Sequence, residues 1–201
     1  MKESLEIRVY GIDGAMEVFV QDDPELMNRT LSELQPTTLF SQDQILLEDD
    51  CLEKLFVPAL LTRIDLITDR FSVWDFPFAL GALEELAEAE FDEKVRILQG
   101  EKTKDLPGDT PVYLDLEMLN GQRLFLGMQI VAGLPQARWN RIYSLLKERR
   151  LIFGLRSRGV GILNLSNLLR LSVHPDIPHH QKRLFTLPSD DRESSAEVSQ
   201  L

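Results

Sequence analysis

The residues that first suggest chemistry are Arg63 and Asp65, inside FVPALLTRIDLITD at 56–69. Two apart on a strand, they project from the same face. A guanidinium beside a carboxylate can order a ligand, form a structural ion pair or sit on a solvent-facing strand edge. Exposed pairs are common and contribute little to stability. If the pair is buried, each charge needs a partner, because an unpaired buried charge is costly. A second stretch, GILNLSNLLRLSVHPD at 161–176, has nearly the same shape, with Arg170 at the place of Arg63. Its acid is missing, with Ser172 at the matching position. That departure disfavours a catalytic dyad made twice and leaves a shared structural role for the arginine.

Three further groups carry possible chemistry. Arg138, Arg141, Arg149, Arg156 and Arg158, near Trp139 and Tyr143, form an anion-binding candidate for phosphate or single-stranded nucleic acid. Against nucleic acid, the two aromatics fall in the apolar stripe of a helix, and the chain has a net charge of −11. Trp74, Phe76 and Phe78 form the most aromatic stretch, VWDFPF. It reads as core packing or, since aromatics are enriched at binding hot spots, as a patch for a partner. His174, His179 and His180 lie near Asp176, but their spacing matches no helical ligand pair. A mobile surface tail is the simpler reading.

Nucleophile elbows and phosphate loops are absent from the sequence. Cys51 is the single cysteine, set in an acidic turn that would raise its pKa, and no disulfide framework follows from it. With no convergent set of acid, base and nucleophile, the expectation is a non-enzymatic chain with no cofactor and no metal.

The elements that must position these residues follow from periodicity. LEIRVY at 5–10 alternates, with Leu5, Ile7 and Val9 on one face. GIDG supplies a reversal, and AMEVFVQ returns with Met16, Val18 and Val20 expected inward. Asp23 then caps a helix that has Pro24 at its first position and is stopped by Pro36. Residues 38–40 and 44–48 read as extended, and KLFVPALLTRIDLI at 54–67 reads as strand, turn and strand. Leu80, Leu83, Ala87, Phe91 and Val95 fall at helical spacing, so a helix is expected from about 78 to 94. VYLDLEM and RLFLGMQIV flank the Asn120-Gly121 turn, whose residues tolerate positive φ. A helix with Trp139, Ile142, Tyr143 and Leu146 follows, then LIFGLR at 151–156, then GILNL, SNL and LRLSV as strand, turn and strand.

The order of elements repeats. Gly14 matches Gly121, and 45–69 lies on 152–176 without a gap, both at a shift of 107. Only four of these 25 aligned positions are identical, so element order and spacing carry the argument, not identity. The expected fold is α+β: two tandem related units, each a β-hairpin, a helix and further antiparallel strands, forming small twisted sheets or partial barrels. The boundaries are 1–73 for the first unit, 74–111 for a connecting acidic helix and polar linker, 112–176 for the second unit, and 177–201 for a disordered tail. The second unit's glycine-containing hairpin and its closing strands around a short turn resemble the Sm-like small barrel. Its helix, however, lies between the second and third strands and not before the first, and the family's Asp-x-x-x-Asn is missing.

Charge is uneven along the chain. Residues 1–109 hold 10 basic and 25 acidic residues, whereas 110–174 hold 9 and 3. Such asymmetry fits two halves that attract each other, or an interaction surface. MKESLEIR lacks the pattern of a secretory signal, and no apolar run is long enough to span a bilayer, so a soluble, cytoplasmic chain is expected. The leading functional reading is a protein-interaction or scaffold protein that binds another protein or its own copy, with no membrane. An anion or nucleic-acid binder and an enzyme of unrecognised type are the alternatives.

Overall fold

The computed structural model describes residues 4–48, 53–68, 83–100, 111–128, 144 and 147–174. The chain is mixed α+β, dominated by one large and mostly antiparallel sheet. Strands β1 (Leu5–Gly11) and β2 (Met16–Gln21) form the expected hairpin. Their register pairs Leu5 with Gln21 and Ile7 with Phe19. Residues directly opposite each other share a face, so Phe19 and Gln21 are the buried pair on β2. Met16, Val18 and Val20 therefore point outward, contrary to the alternation read from sequence. One face of this strand carries Met16, Val18 and Val20 and the other Glu17, Phe19 and Gln21; pairing with β1 covers the second set although it holds one apolar residue.

Helix α1 (Pro24–Glu33) starts where expected, with the Asp23 side chain accepting from the amides of Glu25 and Leu26. Met27, Thr30 and Leu31 face the core. Residues Leu39–Ser41 form a 3-10 turn, not an extended segment, and this buries Leu39. Strands β3 (Ile45–Glu48) and β4 (Glu53–Phe56) make a separate two-stranded ribbon. A 3-10 turn at Pro58–Leu60 leads into β5 (Leu61–Ile67).

The joining segment departs from expectation. Residues Leu83–Leu86 form strand β6, and helix α2 runs from Glu88 to Gly100. The expected single helix from 78 to 94 ignored what the sheet offers this backbone. Strand β6 pairs antiparallel with β8 (Arg123–Met128) and parallel with β9 (Arg150–Gly154). All four residues pair with β8, and Glu84 also pairs with Gly154 of β9, so the sheet takes up this backbone in place of a helix. The apolar stripe of α2 is then Phe91, Val95 and Leu98. Strands β7 (Val112–Met118), β10 (Val160–Asn164) and β11 (Leu168–His174) complete the sheet, with a 3-10 turn at Leu165–Asn167 between the last two.

The nine strands run in the order β11-β7-β8-β6-β9-β10-β5-β1-β2. The sequence left open whether the halves share a sheet; the β10–β5 pairing makes it continuous. Elements recur at one spacing. Strands β7, β8 and β11 and the Leu165–Asn167 turn begin and end 107 residues after β1, β2, β5 and the Pro58–Leu60 turn. Gly14 and Gly121, at matching turn positions, have φ of 83° and 78°. The register shift that skips Thr62 opposite β1 recurs at Leu169 opposite β7.

Two large cores lie on opposite faces of the sheet. The first joins Leu5, Ile7, Val9, Ile64, Leu66 and Ile162 with α1 and β3. The second joins Leu83, Leu114, Leu126, Leu151, Phe153 and Leu163. Strand β10 serves both, with Ile162 opposite Ile64 and Leu163 opposite Arg63. Helix α2 covers a third, smaller core around Tyr113 and Phe125.

Candidate functional site

Strand β5 is buried on both faces: one core covers Ile64 and Leu66, while on the opposite face Arg63 meets the side chains of Glu85 from β6 and Phe153 from β9. Arg63 and Asp65 lie on that second face, and both are buried. Arg63 Nε donates to Asp65 Oδ1 at 2.6 Å, and Arg63 Nη2 donates to Glu85 Oε1 on β6 at 2.9 Å. Tyr10 on β1 donates its hydroxyl to Asp65 Oδ2 at 3.2 Å. The guanidinium lies between two rings, 5.3 Å from the centroid of Tyr10 and 5.1 Å from that of Phe153. Phe153 reaches this position by lying over Gly161, where an added Cβ would come within 2.2 Å of its ring. The backbone amide of Arg156 contributes a longer bond, 3.4 Å, to Glu85 Oε2.

Electrostatics follow from this enclosure. Burial pushes the Asp65 carboxyl above the usual carboxylate range; the charge of Arg63 pulls it back only in part, and Glu85 adds to the rise. Burial opposes the Arg63 charge, but Asp65 and Glu85 outweigh it and hold the guanidinium proton more firmly than in free arginine. Burial, followed by the Asp65 charge, raises the Tyr10 hydroxyl. One planar fork thus bridges carboxylates from two strands distant in sequence. The cluster ties β5 to β6 through side chains, with Arg63 and Asp65 5% and 2% exposed.

A second set of contacts also joins the halves. Asn164 Nδ2 donates to the carbonyls of Pro58 and Leu61, at 3.3 and 3.0 Å. Asn167 Nδ2 donates to those of Ala59 and Leu61, at 3.0 and 2.8 Å. Asn120, in the β7–β8 turn, donates to Gly11 O at 3.0 Å and to Thr62 Oγ1 at 3.2 Å. These amides satisfy carbonyls of the Pro58–Leu60 turn and of the β1–β5 bulge.

The remaining sequence candidates divide. Arg149 precedes β9, whereas Arg156 and Arg158 follow it, so five strand residues, or roughly 17 Å, separate them. Arg138, Arg141, Trp74, Phe76 and Phe78 lie outside the described residues, as do His179, His180, Asp176 and Cys51. His174 packs edge-on against Phe91, ring centroids 5.8 Å apart. Among the described residues no three His, Cys, Asp or Glu side chains are placed to hold a metal, and no helix is long and apolar enough to cross a membrane.

Sequence reasoning missed Glu85, Tyr10 and Phe153 as partners of Arg63. Glu85 belongs to an acidic run that reads as a solvated helix face. Its strand assignment was the missing signal, since on a strand it shares a face with buried Leu83. Comparison with family models, with curated proteins and with solved structures finds no match for this chain.

Proposed function

We propose that the chain is a non-enzymatic protein-interaction or scaffold protein of the cytoplasm, built from two copies of one α+β unit at 1–73 and 112–176 with a connecting segment at 74–111. The common spacing of strands, turns and bulges supports the two-unit reading. The observation that carries the interaction reading is the outer face of β2. Met16, Val18 and Val20 stand side by side there, 53%, 44% and 50% exposed, on the last strand of the sheet. Single exposed apolar residues are ordinary, but a row of them along an unpaired strand edge invites association and is normally guarded by charge.

The test compares tagged wild-type chain with the Val18→Asp, Val20→Asp double variant in affinity capture and mass spectrometry. Circular dichroism and the unfolding midpoint verify that both are folded. The reading expects a partner, or a second copy seen by light scattering, that the wild type holds and the variant loses. Identical captured sets and identical particle masses for the two folded proteins would overturn it.

A further inference from the structure

The two units treat the same strand edge differently. In the second unit β6 sits between β8 and β9, antiparallel to the first and parallel to the second. The counterparts one spacing earlier are β2 and β3. Among the described residues β2 pairs only with β1, and β3 only with β4, so no strand joins them. The Gln21 side chain crosses that break, donating Nε2 to the Glu48 carbonyl on β3 at 2.8 Å. Gln21 is 1% exposed, and its Oε1 is buried without a hydrogen-bond partner. At the matching position in the second unit Met128 instead lies opposite Leu83 of β6. A buried acceptor left without a donor is costly, and here it borders an unpaired edge.

We propose that the break between β2 and β3 is a strand-acceptor site, which takes one extended segment of a partner polypeptide, antiparallel to β2 and parallel to β3. The inference rests on both the two-unit and the partner-binding readings above. Main-chain hydrogen bonds to both edges supply the affinity, and alternate side chains supply the specificity. The register of β6 against β8, moved back by one spacing, sets successive partner residues opposite Gln21, Val20, Phe19 and Val18. Those opposite Gln21 and Phe19 face the first core. The one opposite Gln21 carries a side-chain donor for Oε1, namely Ser, Thr, Asn or Gln, and the one opposite Phe19 is apolar. Those opposite Val20 and Val18 are apolar and extend the exposed row. Glu48 and Glu53 lie directly across from each other at the end of the β3–β4 ribbon, two like charges that favour basic residues at the ends of the incoming segment.

The probe is a fluorescent peptide, Lys-Lys-Thr-Val-Leu-Val-Lys-Lys, with Ser, Asn and Gln versions at the third position, added to the full chain. Expected are saturable binding by at least one version and slowed amide exchange at both β2 and β3, with β7 and β8 unchanged. A version N-methylated on the backbone facing β2 binds about tenfold more weakly. Four outcomes overturn the site: no binding by any version; protection of β2 without β3; equal binding of the N-methylated peptide, which marks apolar adhesion; or a dimer with β2 already protected, which makes a second copy the occupant. If the peptides fail while the Val18 and Val20 variant still loses its captured partner, only the strand-acceptor site falls. If capture is also insensitive to that variant, the interaction reading falls too.

Discussion

Arg63 and Arg170 hold the same place in two strand pairs, one opposite Tyr10 and the other opposite Glu117, yet their side chains are 7% and 61% exposed. Arg63 is enclosed by the side chains of Tyr10, Glu85 and Phe153. Arg170 lies on the last strand at the other end of the sheet, paired with Glu117 at 2.8 Å.

Replacing the two arginines by methionine should therefore give unequal losses. Arg63→Met leaves Asp65 buried without its cation and should cost about 3–5 kcal/mol in urea unfolding. Arg170→Met removes a largely exposed pair and should cost no more than about 1 kcal/mol. Equal losses would contradict the enclosure of Arg63.

The raised pKa of Asp65 gives stability a definite slope. A group whose folded pKa lies above its unfolded value stabilises fully below the unfolded value, here 3.8, and loses that contribution as pH rises through the folded value. Wild-type stability should thus fall relative to Asp65→Asn as pH is raised from below 3.8 into the range just above it. Unfolding curves of both proteins across that range check the sign. A rise of wild type relative to the variant would mean that Arg63 dominates burial.

Asn164 and Asn167 share the Leu61 carbonyl, so their removal should not add. Each single change to alanine should cost about 0.5–1.5 kcal/mol, because the remaining amide still serves the Leu61 carbonyl, and only the double change leaves that carbonyl without either. A double-mutant cycle should show coupling of at least about 0.5 kcal/mol. Additive losses would indicate that the two amides act on separate acceptors.

Gly161→Ala should disturb the arginine cluster from beneath. The new methyl meets the Phe153 ring, which must move away from the guanidinium. A loss of about 1–3 kcal/mol is expected, with partial recovery when Phe153→Leu is added to make room. A variant as stable as wild type would show that the ring has space to shift.

How far the sequence reaches can be judged element by element. Local signals placed the β1–β2 hairpin, the Asp23 cap, the Asn120-Gly121 turn and the strand, turn and strand around Pro58, because each rests on short-range backbone preferences. The face of β2 was misread, since alternation favours Met16, Val18 and Val20 over Glu17, Phe19 and Gln21, and only the pairing with β1 puts the second set inward. Residues 83–86 were misread as helix, since their partners lie more than thirty residues away in β8 and β9.

The arginine shows the same division. Sequence alone determined that Arg63 and Asp65 share a strand face, that burial would oblige them to pair, and that Arg170 lacks the acid. It also determined the spacing at which the strands and turns recur. Tertiary structure alone decided that Arg63 is enclosed, that Glu85, Tyr10 and Phe153 complete its surroundings, and that both halves share one sheet. Face and spacing are properties of a single strand, fixed by its own backbone. Enclosure depends on which distant strand donates to which edge, and that choice is made by the summed pairing and burial of the whole sheet.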